Sequence, residues 1–392
     1  MAKAKRKARA VKKVGAKKPR AKRGIEAPHA AKVGRKAAGR PRTKAPRRPK
    51  AARKIPVVAK AKPSRAKARA RAAQAPKAAR RPKVRPGPPV IEPNRALVRH
   101  EMAVMLAPPR GTIREIDAAR ITDTVARLSM EANYDLERDI RTAIEKGSRE
   151  EESPVGREIF RQLLENADIA CSEKLPICQD TGLAIIFVDL GQDAHVTGAS
   201  LEDAINAGVR RGYGEGYLRK SVLGDPLRRV NTKDNTPAVI HTRIVPGDAL
   251  KLWVVPKGGG SENMSKIAML KPADGVEGVK SFVVEAVRVA SANPCPPIIV
   301  GIGIGGSFEQ CAMLAKRALL REVGSVHADP FYADLENALL GEINNLGIGP
   351  MGLGGRVTAL AVHVETAPCH IASLPVAVNI NCHAARHKMA EL

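Results

Sequence analysis

The chain divides by charge, and that division limits which part of it can fold. Residues 1–90 hold 34 Lys and Arg against one acid, Glu26, whereas residues 91–392 hold 33 Lys and Arg against 38 Asp and Glu. The formal net charge of +28 therefore originates in the N-terminal segment. Runs such as KAKRKARAVKKVGAKKPRAKR contain Lys, Ala, Arg and Pro with almost nothing to bury, a composition that predicts disorder. Residues 1–95 are thus read as a disordered basic tail and residues 96–392 as the folded part, whose ~300 residues suffice for a sizeable core.

Such a tail suits nonspecific contact with nucleic-acid phosphates that weakens as salt rises; a solvated extension is the other reading. No Phe, Tyr or Trp interleaves its charges, so base stacking is not indicated. No apolar run reaches the ~18 residues of a membrane span, and no secretory apolar region follows Met1. Six cysteines without a tight pair motif fit a reducing compartment, so the cytoplasm is the expected location.

Three of those cysteines sit in separate Gly- and Pro-flanked turns: Cys178 in PICQDTG, Cys295 in ANPCPP and Cys382 in NINCHAAR. The gaps are too long for one loop to chelate a metal, so the fold itself must bring the thiolates together. Three thiolates on a 4Fe-4S cluster leave one iron without a protein ligand. An open iron is a Lewis acid suited to dehydrating a small hydroxy acid.

From about Ile113 the composition turns globular. REIDAARITDTVARLSMEANY and EESPVGREIFRQLLENADIACSEK show apolar residues at helical spacing, the second after a Ser-Pro start. LAIIFVDLGQD and DALKLWVVPKGGGSEN read as strands closed by Gly turns, and ALAVHVETAPCHIASLPVAVNINC as two more. CPPIIVGIGIGGSFEQCAMLAKRALLREV reads as strand, Gly-rich turn and helix. Helices and strands mix along the whole length, which predicts an α/β (mixed α+β) domain.

These blocks, with EANYDL, YLRKSVLGDPL and NTKDNTPA, occur in order from Arg114 to Arg386. The chain resembles the alpha subunit of class I, iron-sulfur-dependent fumarate hydratases and the related L-tartrate dehydratases. The resemblance implies that family's N-terminal catalytic domain and a 4Fe-4S cluster on Cys178, Cys295 and Cys382. It implies reversible hydration of fumarate to L-malate, with L-tartrate dehydration to oxaloacetate as the alternative. A beta subunit would supply the remaining site residues, in a heterotetramer acting on a dicarboxylate substrate. A reading of another class is a basic-tailed nucleic-acid-associated protein whose enzyme-like domain is inactive.

Asp180, two residues after Cys178, would lie near the open iron and serve proton transfer; capping the TGLA turn is its plain role. By resemblance it works with a Thr from the beta part. Arg219 matches the family's substrate-binding Arg, whose planar fork grips a carboxylate, and His370 its active-site His. Gln179 can donate beside the cluster, and Gly259 and Gly260 let backbone approach the substrate. Arg386 is open between offsetting cluster charge and a surface ion pair. Cys171 and Cys311 read as small buried hydrophobes, and His363 as a satisfied core residue. Gly301, Gly303 and Gly306 meet the dinucleotide-binding spacing, with Glu322 as the candidate acid. The adjacent Cys295 and Pro pair argue instead for glycines that let amides approach sulfide or substrate.

Overall fold

The computed structural model describes residues 113–392; the basic tail, its expected disorder and any nucleic-acid contact lie outside them. Where the helical pattern suggested one continuous element, Arg114–Asp117 forms a strand, β1. The Asp117 carboxylate accepts from the Ala119 amide at 2.8 Å and so starts helix α1, Ala118–Tyr134. Helix α2 (Arg138–Glu150) follows, and then α3 (Pro154–Glu173), begun by a Ser153 cap and a first-turn proline as the Ser-Pro pattern predicts.

The remaining strands build two four-stranded mixed sheets. One has the order β10-β5-β2-β4, from β2 (Leu183–Gly191), β4 (Val239–Val245), β5 (Leu250–Lys257) and β10 (Lys388–Glu391). The other has the order β6-β9-β7-β8, from β6 (Lys266–Leu270), β7 (Ile298–Gly305), β8 (Ala359–Ala367) and β9 (Leu374–Asn381). A short strand, β3 (Ala194–Thr197), pairs in parallel with β1. Helices α1 and α4 (Leu201–Glu215) cover the first sheet, burying Val125 and Val209 against Ile186 and Val254. A four-residue turn of helix, α5 (Gly259–Glu262), follows β5. Helices α6 (Gly275–Ala290) and α8 (Pro330–Asn344) cover the second sheet through Val283 and Leu339. Each such side chain contributes ~1.5–3 kcal/mol by leaving water.

Two antiparallel pairings set the geometry that matters for function. β2 begins where β5 ends, with Leu183 opposite Lys257. β7 begins where β9 ends, with Ile299 opposite Asn381. Each pairing therefore gathers the turn before one strand and the turn after another.

The Gly-rich stretch of β7 serves packing. A Cβ at Gly301 would stand 2.2 Å from the Ala315 carbonyl oxygen, and one at Gly303 would stand 2.1 Å from that of Cys311. Both glycines let α7 (Phe308–Ala318) lie directly on the strand, which corrects the expectation that they bring amides to sulfide or substrate. Gly303→Ala should destabilise the fold by ~1–3 kcal/mol through overpacking. Gly341→Ala, inside α8 with open space around it, should stabilise by ~0.5–1 kcal/mol. Urea midpoints of the two variants would shift in opposite directions.

His363 on β8 is 2 % exposed, and neither ring nitrogen has a partner among the described residues. It is a core residue, yet not a satisfied one. Burial first and the Arg321 charge second pull its pKa down to about 4, while Asp139 opposes them. The unfolded chain thus takes up this proton first as pH falls, and stability present above pH 6.5 is lost toward pH 4, by about 3 kcal/mol. His363→Leu should remove that part of the acid sensitivity, read from urea melts at pH 7 and pH 4.5.

Candidate active site

The turn entering β2 carries Cys178, Gln179 and Asp180, and the turn leaving β5 carries Gly258, Gly259 and Gly260. Their contact is close: a Cβ at Gly182, whose φ is +72°, would fall 2.5 Å from the Lys257 backbone. Only glycine fits there. Asp180 is held between the two turns, its Oδ2 accepting from the Gly259 amide at 2.7 Å and its Oδ1 from the Gly182 amide at 3.1 Å. The Gly259 N–H is therefore committed to orienting Asp180. The turn-capping role and the acid-base role of this aspartate are compatible, since the cap is what aims the carboxylate.

On the second sheet, Cys295 stands two prolines before β7 and Cys382 immediately follows β9. The His383 amide donates to the Cys295 carbonyl at 3.4 Å, and the His383 ring contacts the same oxygen at 3.1 Å. Cys295 has a φ of +57°, in the left-handed region. That conformation costs a non-glycine residue ~1–2 kcal/mol.

The two sheets meet at these turns. Cys178 and Cys382 pack on one small apolar cluster formed by Ala167, Ala170, Ile177 and Ala384. Partial burial, then the thiols of Cys382 and Cys178, push the Cys295 thiol above its ordinary value. The Cys295 thiol thus lies within electrostatic reach of the other two. No trio of His, Cys, Asp or Glu among the described residues is close enough to hold a single ion. A four-iron cube spaces its thiolates more widely than one ion does, and three soft donors without nitrogen or oxygen ligands fit iron-sulfur chemistry.

Arg219 is exposed, and its place beside the Cys178–Asp180 turn follows from the backbone. Thr181 donates its hydroxyl to the Arg219 carbonyl at 3.0 Å. Asn235 accepts from the Ser221 and Val222 amides at 2.6 and 3.2 Å and donates to the Gly182 carbonyl at 3.2 Å. The fully buried Tyr213 donates to the Thr181 carbonyl at 2.7 Å. Asn235 and Tyr213 lie inside NTKDNTPA and RRGYGEGYLRKS, and their identity as polar residues in strongly patterned turns was the available signal for them.

His370 is not brought to the thiols within this chain. It lies in the exposed turn between β8 and β9, at the far end of the sheet from Cys295 and Cys382. Eight of the residues between His370 and Cys382 form the extended β9, so at ~3.3 Å per residue the two are separated by roughly 25 Å. Within one chain His370 therefore stands at the opposite end of β9 from Cys382, and its substrate-binding role stays an expectation. Other cysteines stay outside as well. Cys171 is exposed on α3 rather than buried, Cys311 is buried with its thiol donating to the Gly303 carbonyl at 3.1 Å, and Cys369 is exposed.

Lys257, unrecognised in the sequence, is 2 % exposed at the end of β5. Its ammonium donates to the Ile380 carbonyl at 2.6 Å and the Ser261 hydroxyl at 2.9 Å, which ties the first sheet to the end of β9 just before Cys382. Burial pulls its pKa down to about 8 against the attraction of Glu262; Lys316 adds to the fall and Cys382 opposes it.

Thiols near an oriented carboxylate, on a mixed α/β frame, are compatible with a lyase that moves water on and off a small acid. The chain belongs to the fumarate hydratase (fumerase) family, whose model matches residues 122–391. It is thereby a hydro-lyase of the fumarase and tartrate dehydratase kind. A chain of Methanocaldococcus jannaschii described as "Putative L(+)-tartrate dehydratase subunit alpha" is 42% identical over 279 residues, covering 70% of this chain and 98% of that one. The L(+)-tartrate dehydratase subunit alpha of Escherichia coli strain K12 is 33% identical over 271 residues, 68% of this chain and 89% of its own. The subunit of the same name from Shigella sonnei matches to the same extent.

Lys257→Met should leave the Ile380 carbonyl without its donor and lower the stability of the metal-free chain by ~1–3 kcal/mol, measured as a lower urea midpoint.

Proposed function

We propose that the chain is the alpha subunit of a hydro-lyase that removes water from L-tartrate, with a 4Fe-4S cluster held by Cys178, Cys295 and Cys382. The observation that supports this reading is that Cys178 and Cys382 share one apolar cluster, with Cys295 bonded to the turn after Cys382 and Asp180 held across the turn after Cys178. Fumarate stood before L-tartrate in the expectation from sequence. The names of the relatives favour the reverse order, and fumarate hydration stays as a second reading because the matching family bears that description. Relatives named as alpha subunits also support a beta partner that completes the site, in a heterotetramer.

When bound, the cluster supplies a Lewis-acidic iron able to take a hydroxyl and a carboxylate of the substrate. The protein's own part is position and proton transfer. Asp180, aimed by the Gly182 and Gly259 amides, exchanges a proton with the substrate, paired with a group from the beta subunit. Arg219, at the open mouth, takes a carboxylate in its fork. Gln179 donates beside Cys178, and Gly260 keeps that wall of the site free of side chains. The free thiols support a reducing compartment, the cytoplasm. No helix among the described residues is long and apolar enough to cross a membrane.

Anaerobic co-purification with the beta partner should yield about four irons per alpha chain and convert L-tartrate to oxaloacetate. Asp180→Asn should retain the iron while lowering kcat by ~10²-fold or more, and Cys295→Ser should lose iron and turnover together. Fumarate hydration with no action on tartrate would promote the second reading. A chain that takes up no iron would remove both.

A further inference from the structure

The chain crosses from the end of β9 on one sheet to β10 on the other, and Arg386 lies in that crossing, 4 % exposed. Its Nη1 donates to Asn133 Oδ1 at 3.0 Å, and its Nε has no partner among the described residues. A Cβ at Gly258 would stand 3.4 Å from both Arg386 Nη2 and Asp180 Oδ2, so the guanidinium and the carboxylate face one point on the wall of the site. Among the described residues no carboxylate stands within ion-pair distance of Arg386, which removes the surface ion pair as an account of it. The contrast with Arg321 is direct, since that side chain is paired to the buried Glu336.

An arginine cannot shed its charge, and a cation taken out of water without a counter-ion is destabilising. A second excess of the same sign lies close by. Lys257 and Lys316 share the one carboxylate of Glu262, at 3.5 and 2.5 Å. Arg386, four residues after Cys382, and Lys257, bonded to the carbonyl two residues before it, therefore bring excess positive charge to that turn, and an anion there would balance both. A doubly positive four-iron core carrying three thiolates is a net monoanion.

Resting on the cluster reading above, we propose that Arg386 is a positioning residue for the cluster. It is the permanent counter-charge that retains the iron-sulfur group on Cys178, Cys295 and Cys382 and raises its reduction potential. The charge does this through space, without ligating iron, and the bond to Asn133 fixes where the charge stands.

The test compares the full wild-type chain with Arg386→Gln and Arg386→Lys, each rebuilt anaerobically with ferrous iron and sulfide. Three quantities are read: iron and sulfide content with the rate of iron loss to a chelator, the midpoint potential of the cluster, and the urea midpoint of the metal-free chain. Arg386→Gln should lose iron about tenfold faster. Its one-electron couple should fall by about 59 mV, a tenfold weaker preference for the reduced form. Arg386→Lys should restore most of both. The metal-free Gln variant should be at least as stable as wild type, because a buried unpaired charge has gone, so the apo and loaded proteins respond in opposite directions.

A metal-free Gln variant that is less stable or unfolded would make Arg386 a structural residue and overturn the proposal. So would a Lys variant as defective as the Gln variant, or a Gln variant with wild-type potential and iron retention. Wild type that binds the full cluster while Arg386→Gln behaves identically refutes only the role of Arg386. Wild type that binds no iron refutes the cluster reading and this inference with it.

Discussion

The antiparallel pairing of β2 with β5 and of β7 with β9 is the constraint on which the site depends. In each pair one strand starts where the other stops, so two turns far apart in sequence become neighbours. One pair gathers Asp180 with the glycines after Lys257, the other Cys295 with Cys382. A buried contact from the Lys257 ammonium to the Ile380 carbonyl helps join the two pairs. Backbone hydrogen bonds of a sheet are stiff and numerous, which lets turns rather than rigid elements carry chemistry without losing their aim.

Around that junction the protein buries polar groups it would not bury for stability. Asn133, Tyr213, Asn235, Lys257 and Arg386 are nearly or fully out of water. Each is bonded to backbone of the site turns or to another member of the set. Networks of this kind specify one geometry when every member is satisfied. The unpartnered Nε of Arg386 is the exception.

Several parts of this arrangement were legible in the sequence. The Ser153-Pro154 start of α3, the apolar runs of β2, β7 and β9 and the three cysteine turns all appear where local pattern puts them. Local pattern was misleading where packing decided. REID looked like the first turn of a helix and became β1, because pairing with β3 competes with helix extension and Asp117 caps the junction. The glycines of β7 looked ready for a ligand, yet they are small because α7 presses on the strand. Both outcomes depend on a distant partner that a local window does not contain.

By itself the sequence determined the charge-divided organisation, the element types and the identity of the soft donors and the carboxylate beside them. These are short-range properties, set by composition, period and cap chemistry. Tertiary structure alone decided which strand ends meet. It put Cys178 and Cys382, 204 residues apart by their numbers, onto one apolar cluster, and it carried His370 to the far end of the sheet although only twelve residues separate it from Cys382. An alternating apolar pattern records that a strand is buried but not its partner or register, because every buried strand repeats every two residues. The choice among partners is made by the summed packing and hydrogen bonding of the whole domain.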